Sequence, residues 1–186
     1  MVEAAMKNGV EFGWVAADAL YGRNLKFAYS LDNNDIPFVG DVPCDHTVYL
    51  KDPKPYIPRR RNKMGPKYKT LGSRVDGVRA DSLLPQISDT EWKKIKVRDT
   101  TKGKLFTYAY RKRVYIWDGL EKEGRNWWIV ITMEFQTGEL KYFLSNTDES
   151  VRLSELVQRH AASFWIERTF QDGKTSVGMA DYHVKM

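Results

Sequence analysis

The stretch WVAADALYG, residues 14–22, runs from four apolar residues directly into an aspartate and then into a Tyr-Gly pair. A short apolar run that closes on a turn signal is typical of a β-strand, and we predict one over VEFGWVAAD, residues 10–18. The strand therefore ends on a carboxylate, Asp18. Two interpretations follow: Asp18 is a solvated turn residue at a strand end, or it is a metal-binding acid at the edge of a sheet.

The next segments predict a helix and a second strand. RNLKFAYSLDNN, residues 23–34, has apolar positions at helical spacing and an Asn-Asn stop, and IPFVGDV, residues 36–42, is a second short apolar run. A strand, a helix and a strand at this spacing form a βαβ unit, so strands near residues 12–17 and 37–42 should be parallel neighbours. Asp18 then lies at the carboxyl edge of the sheet, where ligands bind in open α/β folds.

Basic residues are concentrated in the middle of the chain. The net charge is +6, but Lys51 to Arg113 alone holds 19 Lys and Arg against 6 Asp and Glu, and the remainder is net acidic. Within this block, residues 51–74 carry four prolines and two glycines, which predicts an extended exposed loop. A basic block in an acidic frame is typical of a nucleic-acid contact surface, because Lys and Arg that neutralise phosphates release condensed counterions. A basic loop that only keeps the protein in solution is the alternative.

Four β-rich stretches follow, separated by turn signals such as TTKG and QTGE. They are EWKKIKVRD at 91–99, KLFTYAYRKRVYIW at 104–117, NWWIVITMEF at 126–135 and LKYFLSN at 140–146. One face of the second stretch carries Phe106, Tyr108, Tyr110 and Lys112. This alternation and the turn signals predict an antiparallel meander.

A long helix is predicted from residue 147 onward, with a cap at Thr147 or Asp148. Its apolar stripe consists of Leu153, Leu156, Val157, His160, Ala161 and Phe164. Further along, Glu167 and Lys174 are seven residues apart and share one helical face. A carboxylate and a lysine two turns apart can serve one site.

Four motifs, in this order along the chain, are GWVAADALYG, LKYFLSN, FWIERTFQDGK and GMADYHVK. Together they resemble the transposases of bacterial insertion sequences, which use an Asp-Asp-Glu triad on a ribonuclease H-like fold. In that family the second aspartate closes a core strand, which matches Asp18, and the glutamate lies in a helix after a β insertion, which matches Glu167. A lysine seven residues beyond the glutamate belongs to the family signature and matches Lys174. The resemblance covers nearly the whole chain.

The resemblance implies an α/β fold, in which a partial ribonuclease H-like core of parallel strands and helices is interrupted by an antiparallel β insertion. Residues 1–43 would form the first, βαβ part of the catalytic core. Residues 44–146 would form the basic β-rich insertion, and residues 147–186 would form the C-terminal helical part of the core.

The resemblance also implies a chemistry. Carboxylates at a sheet edge hold two Mg²⁺ or Mn²⁺ ions, one activating water or a 3′-hydroxyl and the other stabilising the leaving oxygen of a phosphodiester. Asp18 and Glu167 would be catalytic metal ligands, and Lys174 would contact DNA. Further basic residues predicted to bind DNA phosphates are Arg59, Arg60, Arg61, Lys63, Lys67 and Lys69. Such transposases imply DNA as the partner and a homodimer in the full-length family.

Two features depart from the family pattern. Many members of the broader group have an arginine four residues and a tyrosine seven residues before the glutamate, where this chain has Ser163 and His160. The family's first aspartate lies on a strand well upstream of the second, and only 17 residues precede Asp18. We therefore expect a truncated chain without the first aspartate, with weak metal binding and little or no strand cleavage on its own. A non-catalytic nucleic-acid-binding remnant of a transposase is the alternative function.

The predicted site residues also have purely structural interpretations. Glu167 could be a surface acid on a helix, and Lys174 could be a helix-end lysine that the helix dipole favours. Asp41, in FVGDV, is a second carboxylate at a strand end, for which solvation is the simpler explanation.

Composition and motifs disfavour several other classes of protein. Cys44 is the only cysteine, which rules out an intrachain disulfide and argues against a Cys-rich zinc site. His46, His160 and His183 lack metal-ligand spacing, and GKT at 173–175 lacks the upstream glycine of a phosphate-binding loop. No run of about 18 apolar residues is present and the first residues are too acidic for a signal peptide. We therefore expect no membrane partner and a cytoplasmic, nucleoid-associated location.

Overall fold

The computed structural model describes residues 2–58, 70–100, 103–135 and 137–162 of the 186-residue chain. Its helices are α1 (Val2–Lys7), α2 (Ala19–Gly22), α3 (Leu25–Asn33) and α4 (residues 153–162). Its strands are β1 (Val15–Ala17), β2 (Phe38–Val42), β3 (Thr47–Val48), β4 (Val78–Arg79), β5 (Lys93–Thr100), β6 (Gly103–Ile116), β7 (Arg125–Glu134) and β8 (Leu140–Ser145). Short 3₁₀ helices cover Ala80–Gln86 and Asp89–Glu91. None of the helices in these ranges is long and apolar enough to cross a membrane.

The main sheet of the described residues has six strands in the order β1-β2-β8-β7-β6-β5, and β3 pairs separately with β4. β1 and β2 are parallel, with Val15 opposite Phe38 and Ala17 opposite Gly40. The other pairs of the main sheet are antiparallel. The predicted parallel pair and the predicted meander of β5 to β8 are therefore confirmed. Because β2 pairs with β8, both groups of strands belong to one sheet.

β1 is shorter than the strand predicted over residues 10–18. Its ladder with β2 covers Val15 to Ala17, and the amide of Val15 donates to the carbonyl of Pro37 at 2.9 Å. After Ala17 the chain turns into α2, whose first turn is capped by Asp18. The sequence did not predict α2, because a helix of four residues is too short to show a helical period.

The two faces of the main sheet bury separate apolar clusters. On one face α3 packs through Tyr29, whose ring centroid lies 5.7 Å from that of Trp127. On the other face α4 packs through Leu156 against Phe143. Phe143 and Leu144 are consecutive in β8 and belong to opposite clusters, as the two-residue period of a strand requires. The sheet is therefore covered by a helix on each face.

A polar network ties the end of α3 to the sheet. Oδ1 of Asp32 accepts hydrogen bonds from Nε1 of Trp127 at 3.2 Å and from Nδ2 of Asn146 at 3.0 Å. The guanidinium of Arg125 lies 3.4 Å from Oδ2 of the same carboxylate. Asn146 in turn accepts from the amide of Phe38 at 2.9 Å. One carboxylate thus joins α3 to β7 and to the segment after β8.

α4 begins at residue 153, later than the predicted cap at Thr147 or Asp148. The carbonyl of Thr147 accepts a hydrogen bond from Arg113 at 3.0 Å. Asp148 caps a tight turn instead, since its Oδ1 accepts from the amide of Ser150 at 2.8 Å and from the same residue's hydroxyl. These bonds hold the pKa of Asp148 below its usual range. Aspartate caps turns and helices alike, so the sequence did not separate the two.

The fold is mixed α/β, as predicted. The ribonuclease H-like assignment and the division of the chain into residues 1–43, 44–146 and 147–186 stay predictions. The strands of the predicted insertion share one sheet with β1 and β2.

Candidate metal-binding edge of the sheet

Asp18 lies directly after β1 and caps α2. Its Oδ1 accepts hydrogen bonds from the amides of Leu20 at 3.0 Å and Tyr21 at 3.1 Å. These bonds orient the side chain at the rim of the sheet and leave Oδ2 outside the cap. Asp18 is exposed, so its carboxylate is solvated. This geometry is compatible with both roles considered for Asp18, the turn residue and the edge acid.

Asp18 and Asp41 each follow the last pair of the parallel ladder, Ala17 and Gly40. Ala17 lies opposite Gly40, so Asp18 and Asp41 are the next residues of neighbouring parallel strands. Neighbouring strands are about 4.8 Å apart, and the carboxyl ends of parallel strands are where α/β proteins bind ligands. The carboxyl edge therefore carries two acids, one after β1 and one within β2.

His160 of α4 contacts the second of these acids. Its Nε2 lies 2.5 Å from Oδ1 of Asp41, and its ring stacks on Phe143 with centroids 4.3 Å apart and planes inclined by 6°. The side chains of His160 and Asp41 are 15% and 35% exposed. Sequence reasoning placed His160 on the apolar stripe and missed its partner. The two residues are 119 positions apart, so no local pattern could reveal the contact.

A groove of about 350 Å³ borders this pair. Its apolar lining includes Leu105, Phe106 and Val157. Its charged lining consists of Asp41, Arg98, Glu134, Glu139, Lys141 and His160. Because charges of both signs line the groove, its electrostatics do not favour a phosphate backbone in the way that the basic segment 51–74 does.

Most of the predicted site residues fall outside the described residues. Glu167 and Lys174 belong to residues 163–186. The predicted DNA-binding residues of the loop belong to residues 59–69 and are Arg59, Arg60, Arg61, Lys63, Lys67 and Lys69. The described ranges contain Asp18 among the predicted site residues, and the joint role of Asp18 and Glu167 as metal ligands stays a prediction.

The donor chemistry of the edge suits a hard divalent cation. Asp18 supplies carboxylate oxygens, which Mg²⁺ and Mn²⁺ prefer as ligands, while the neighbouring carboxylate of Asp41 is bonded to His160. Within the ranges that the structure describes, no group of three or more His, Cys, Asp or Glu could hold a metal ion. The fit is therefore partial, and a complete ligand set needs a further acid such as Glu167.

Two arginines of the sheet are committed to contacts within the protein. The guanidinium groups of Arg111 and Arg113 each lie 4.2 Å from the ring of Trp128. Arg111 donates to the carbonyl of Val151 at 2.6 Å and Arg113 to that of Thr147 at 3.0 Å. Burial lowers the pKa of Arg113. These cations hold the segment before α4 against β6 and β7, so we do not count them as DNA contacts.

The exposed cations of β5 form a second basic surface. Lys93, Lys94 and Lys96 are exposed on this edge strand. The ammonium of Lys94 lies 4.8 Å from the ring centroids of Phe106 and Phe135. Lysines on an edge strand also prevent pairing with other strands. This surface therefore has a structural explanation that does not require DNA.

These observations describe a mixed α/β protein with acids at the carboxyl edge of a parallel strand pair and a basic central block. The family model of the DDE superfamily endonucleases matches residues 1–104, a range that includes Asp18, Asp41 and the segment 51–74. The chain belongs to the DDE superfamily endonucleases. A comparison with curated proteins found no match. The resemblance to Asp-Asp-Glu transposases is thereby confirmed at the level of the family.

Membership in this family supports a nuclease or transposase type of activity with DNA as the substrate. Nucleases of the superfamily use divalent metals, which agrees with the acids at the carboxyl edge. The matched range ends before α4, so the assignment of Glu167 and Lys174 depends on the sequence motifs alone.

Proposed function

We propose that the chain is part of a ribonuclease H-like catalytic domain that cleaves and transfers DNA strands with two divalent metal ions. Asp18 and Glu167 hold the metal, and Lys174 contacts DNA. The basic residues of 59–69 bind the phosphates of the substrate. The position of Asp18 at the carboxyl edge of β1, in a chain of the DDE superfamily, is the observation that carries this proposal.

The residues of the edge have separate tasks in this proposal. The bound metals would activate the attacking oxygen and stabilise the leaving oxygen of the phosphodiester. Asp18 supplies a carboxylate whose direction is set by the amides of Leu20 and Tyr21. Preorganisation of this kind lowers the cost of placing a ligand, because the side chain needs no further ordering when the metal arrives.

A non-catalytic DNA-binding role is the second candidate. It is favoured by the cap of α2, because the hydrogen bonds to Oδ1 explain an aspartate at this position without any metal. In this case the basic segment would still bind DNA, while divalent metal would have no effect on the protein.

Metal-dependent stabilisation of the folded chain separates these functions, since a ligand of the folded state raises the free energy of unfolding. At a tenfold excess over Kd the gain is about 1.4 kcal/mol. We expect Mn²⁺ to raise the stability of the wild-type chain in urea unfolding, and Asp18→Asn and Glu167→Gln to remove this gain. Asp18→Asn tests metal binding more specifically than Glu167→Gln does. Asn caps helices as well as Asp does, so the substitution leaves α2 intact.

The controls separate the metal from the cap. Asp18→Ala should cost about 1 kcal/mol without metal, whereas Asp18→Ser should not, because Ser restores the cap. Asp99→Asn removes an exposed carboxylate of β5 and should keep the full response to Mn²⁺. If Asp18→Asn responds to Mn²⁺ as the wild type does, Asp18 is no metal ligand and the DNA-binding role is favoured.

A further inference from the structure

His160 is held by side chains from two neighbouring strands. Its Nε2 lies 2.5 Å from Oδ1 of Asp41, and an ionised carboxylate only accepts hydrogen bonds, so the imidazole is the donor. Its ring stacks on Phe143 with centroids 4.3 Å apart. Asp41 and Phe143 are cross-strand partners in β2 and β8. A single side chain of α4 is thus fixed to both strands at once.

This contact differs in kind from the apolar packing of α4. Leu153, Leu156 and Val157 are buried in the apolar cluster of this face. Apolar burial is non-directional, so it holds the helix against the sheet without fixing its position along the sheet. A hydrogen bond depends steeply on distance and angle. Two hydrogen bonds of α4 are directional in this way: His160 bonds Asp41 of β2, and Nε2 of Gln158 donates to the carbonyl of Lys96 in β5 at 3.3 Å. The bond of His160 is the one that fixes α4 relative to β2.

Asp41 connects this contact to the candidate metal-binding edge. Asp18 and Asp41 directly follow paired positions of the parallel strands β1 and β2. His160 thus reaches the strand next to the one that ends in Asp18. Glu167 follows His160 by seven residues, or two helical turns if the helix continues as the sequence predicts.

We infer that the hydrogen bond from His160 to Asp41 positions α4 for metal binding, with Asp41 as the anchor of the helix and not as a metal ligand. The inference rests on the proposed function, in which Asp18 and Glu167 hold the metal. The bond gives Oδ1 of Asp41 a structural task. Asp41→Asn distinguishes this task from metal ligation, because the amide keeps an acceptor oxygen and loses the charge. Groups that hydrogen-bond a metal ligand directly change metal affinity about 10- to 100-fold. His160 and Asp41 act one step further away, through the position of α4, so we expect the lower end of this range. His160 and Asp41 are positioning residues.

The test measures Mn²⁺ binding to the full chain by electron paramagnetic resonance of the free ion. His160→Phe keeps a ring to stack on Phe143 and removes the donor, so it should raise the Kd for Mn²⁺ about tenfold. Asp41→Asn keeps an oxygen that accepts the bond, so its Kd should stay within about twofold of the wild-type value. Asp41→Ala removes the acceptor, so it should raise the Kd for Mn²⁺ as much as His160→Phe does. If His160→Phe does not fold, Asp41→Ala serves as the test variant.

A control on the same helix excludes a general effect of mutating α4. Glu155→Gln removes the ion pair in which Glu155 lies 2.5 Å from Arg159, one turn along α4. This variant should bind Mn²⁺ as the wild type does. Circular dichroism of each variant establishes that the fold is kept before the titration.

The possible results have distinct meanings. Wild-type Mn²⁺ affinity in both His160→Phe and Asp41→Ala would overturn the inference. Asp41→Asn binding as weakly as Asp41→Ala would also overturn it, because Asp41 would then be a ligand itself. If Asp18→Asn alone loses Mn²⁺ affinity, the proposed function stands and only this inference fails. If Asp18→Asn keeps the wild-type affinity, the proposed function fails.

Discussion

Gly22 and the main chain of Asp41 lie closer together than any side chain at position 22 would allow. A Cβ atom on Gly22 would be 1.8 Å from the carbonyl oxygen of Asp41 and 2.8 Å from its carbonyl carbon. Both obstructing atoms are backbone atoms within a sheet, so they have little freedom to move. Because of this close approach, α2, which Asp18 caps, packs directly on the end of β2.

Gly22→Ala should therefore destabilise the fold by about 3 kcal/mol or more, because the added methyl group forces α2 away from β2. The midpoint of urea unfolding measures the loss. Gly13→Ala is the matched control, since nothing lies within 4 Å of a Cβ at Gly13, and it should change stability by less than about 1 kcal/mol. Equal stability of the two variants would show that α2 does not pack on β2 as described.

Asp32→Ala should cost about 3 kcal/mol, because it removes the acceptor shared by Trp127 and Asn146 and leaves the cation of Arg125 without its carboxylate. Urea unfolding followed by circular dichroism measures the change. Asp99→Ala removes a carboxylate that is 70% exposed and should cost less than about 0.5 kcal/mol. A comparable loss in both variants would mean that the network around Asp32 adds nothing specific.

The strands could be predicted from sequence because their signals are local. The alternation of KLFTYAYRKRVYIW and the short apolar runs ending at Asp18 and Val42 depend on neighbours two residues away, and the structure confirms the resulting strands. The parallel pairing of β1 with β2 also follows from local order, since a strand, a helix and a strand leave few alternatives.

The pairing of β2 with β8 and the contact of His160 with Asp41 had no local signal. Each joins residues about a hundred positions apart, and neither a charge nor an apolar period specifies the partner. Asp148 shows a different limit of sequence-based prediction. An aspartate at this position is equally suited to cap a helix and to cap a turn, and the structure shows the turn. For the candidate site, the sequence placed Asp18 at the edge of the sheet but did not show that it also caps α2.

Acid should destabilise the protein partly through His46. Burial lowers the pKa of His46 below its ordinary 6.5, against the opposing effect of Asp45. The unfolded chain then takes up a proton before the folded chain does as the pH falls below 6.5, so stability falls with pH over this window. The slope from this one residue is at most about 1.4 kcal/mol per pH unit.

His46→Phe keeps a ring at this position and removes the titration. Urea unfolding between pH 7.5 and about pH 5.5, above the ordinary range of carboxylates, should show a smaller loss of stability in this variant than in the wild type. His160→Phe is measured in parallel as a second histidine variant. An unchanged slope in His46→Phe would mean that His46 takes up its proton equally in both states.

DNA binding should depend on the basic segment and not on the acids of the sheet edge. Replacing Arg59, Arg60 and Arg61 together by Ala should weaken binding to duplex DNA and reduce the slope of log K against log salt concentration by about 3, because each phosphate contact releases about one counterion. Fluorescence anisotropy with labelled DNA at several salt concentrations gives the slope. Asp18→Asn should leave both affinity and slope nearly unchanged, since it removes no cation.

A second triple variant removes the same charge from the other basic surface. Lys93, Lys94 and Lys96 lie on the exposed edge strand β5, where they also block pairing with other strands. Their replacement by Ala lowers the net charge by as much as the arginine variant does, so any general effect of charge is matched. If DNA follows the segment 59–69, the lysine variant should change the slope by less than about 1. If the lysine variant instead lowers the slope by as much as the arginine variant, DNA binds across β5. In that case, or if the arginine variant binds DNA like the wild type, the assignment of DNA binding to the loop is wrong.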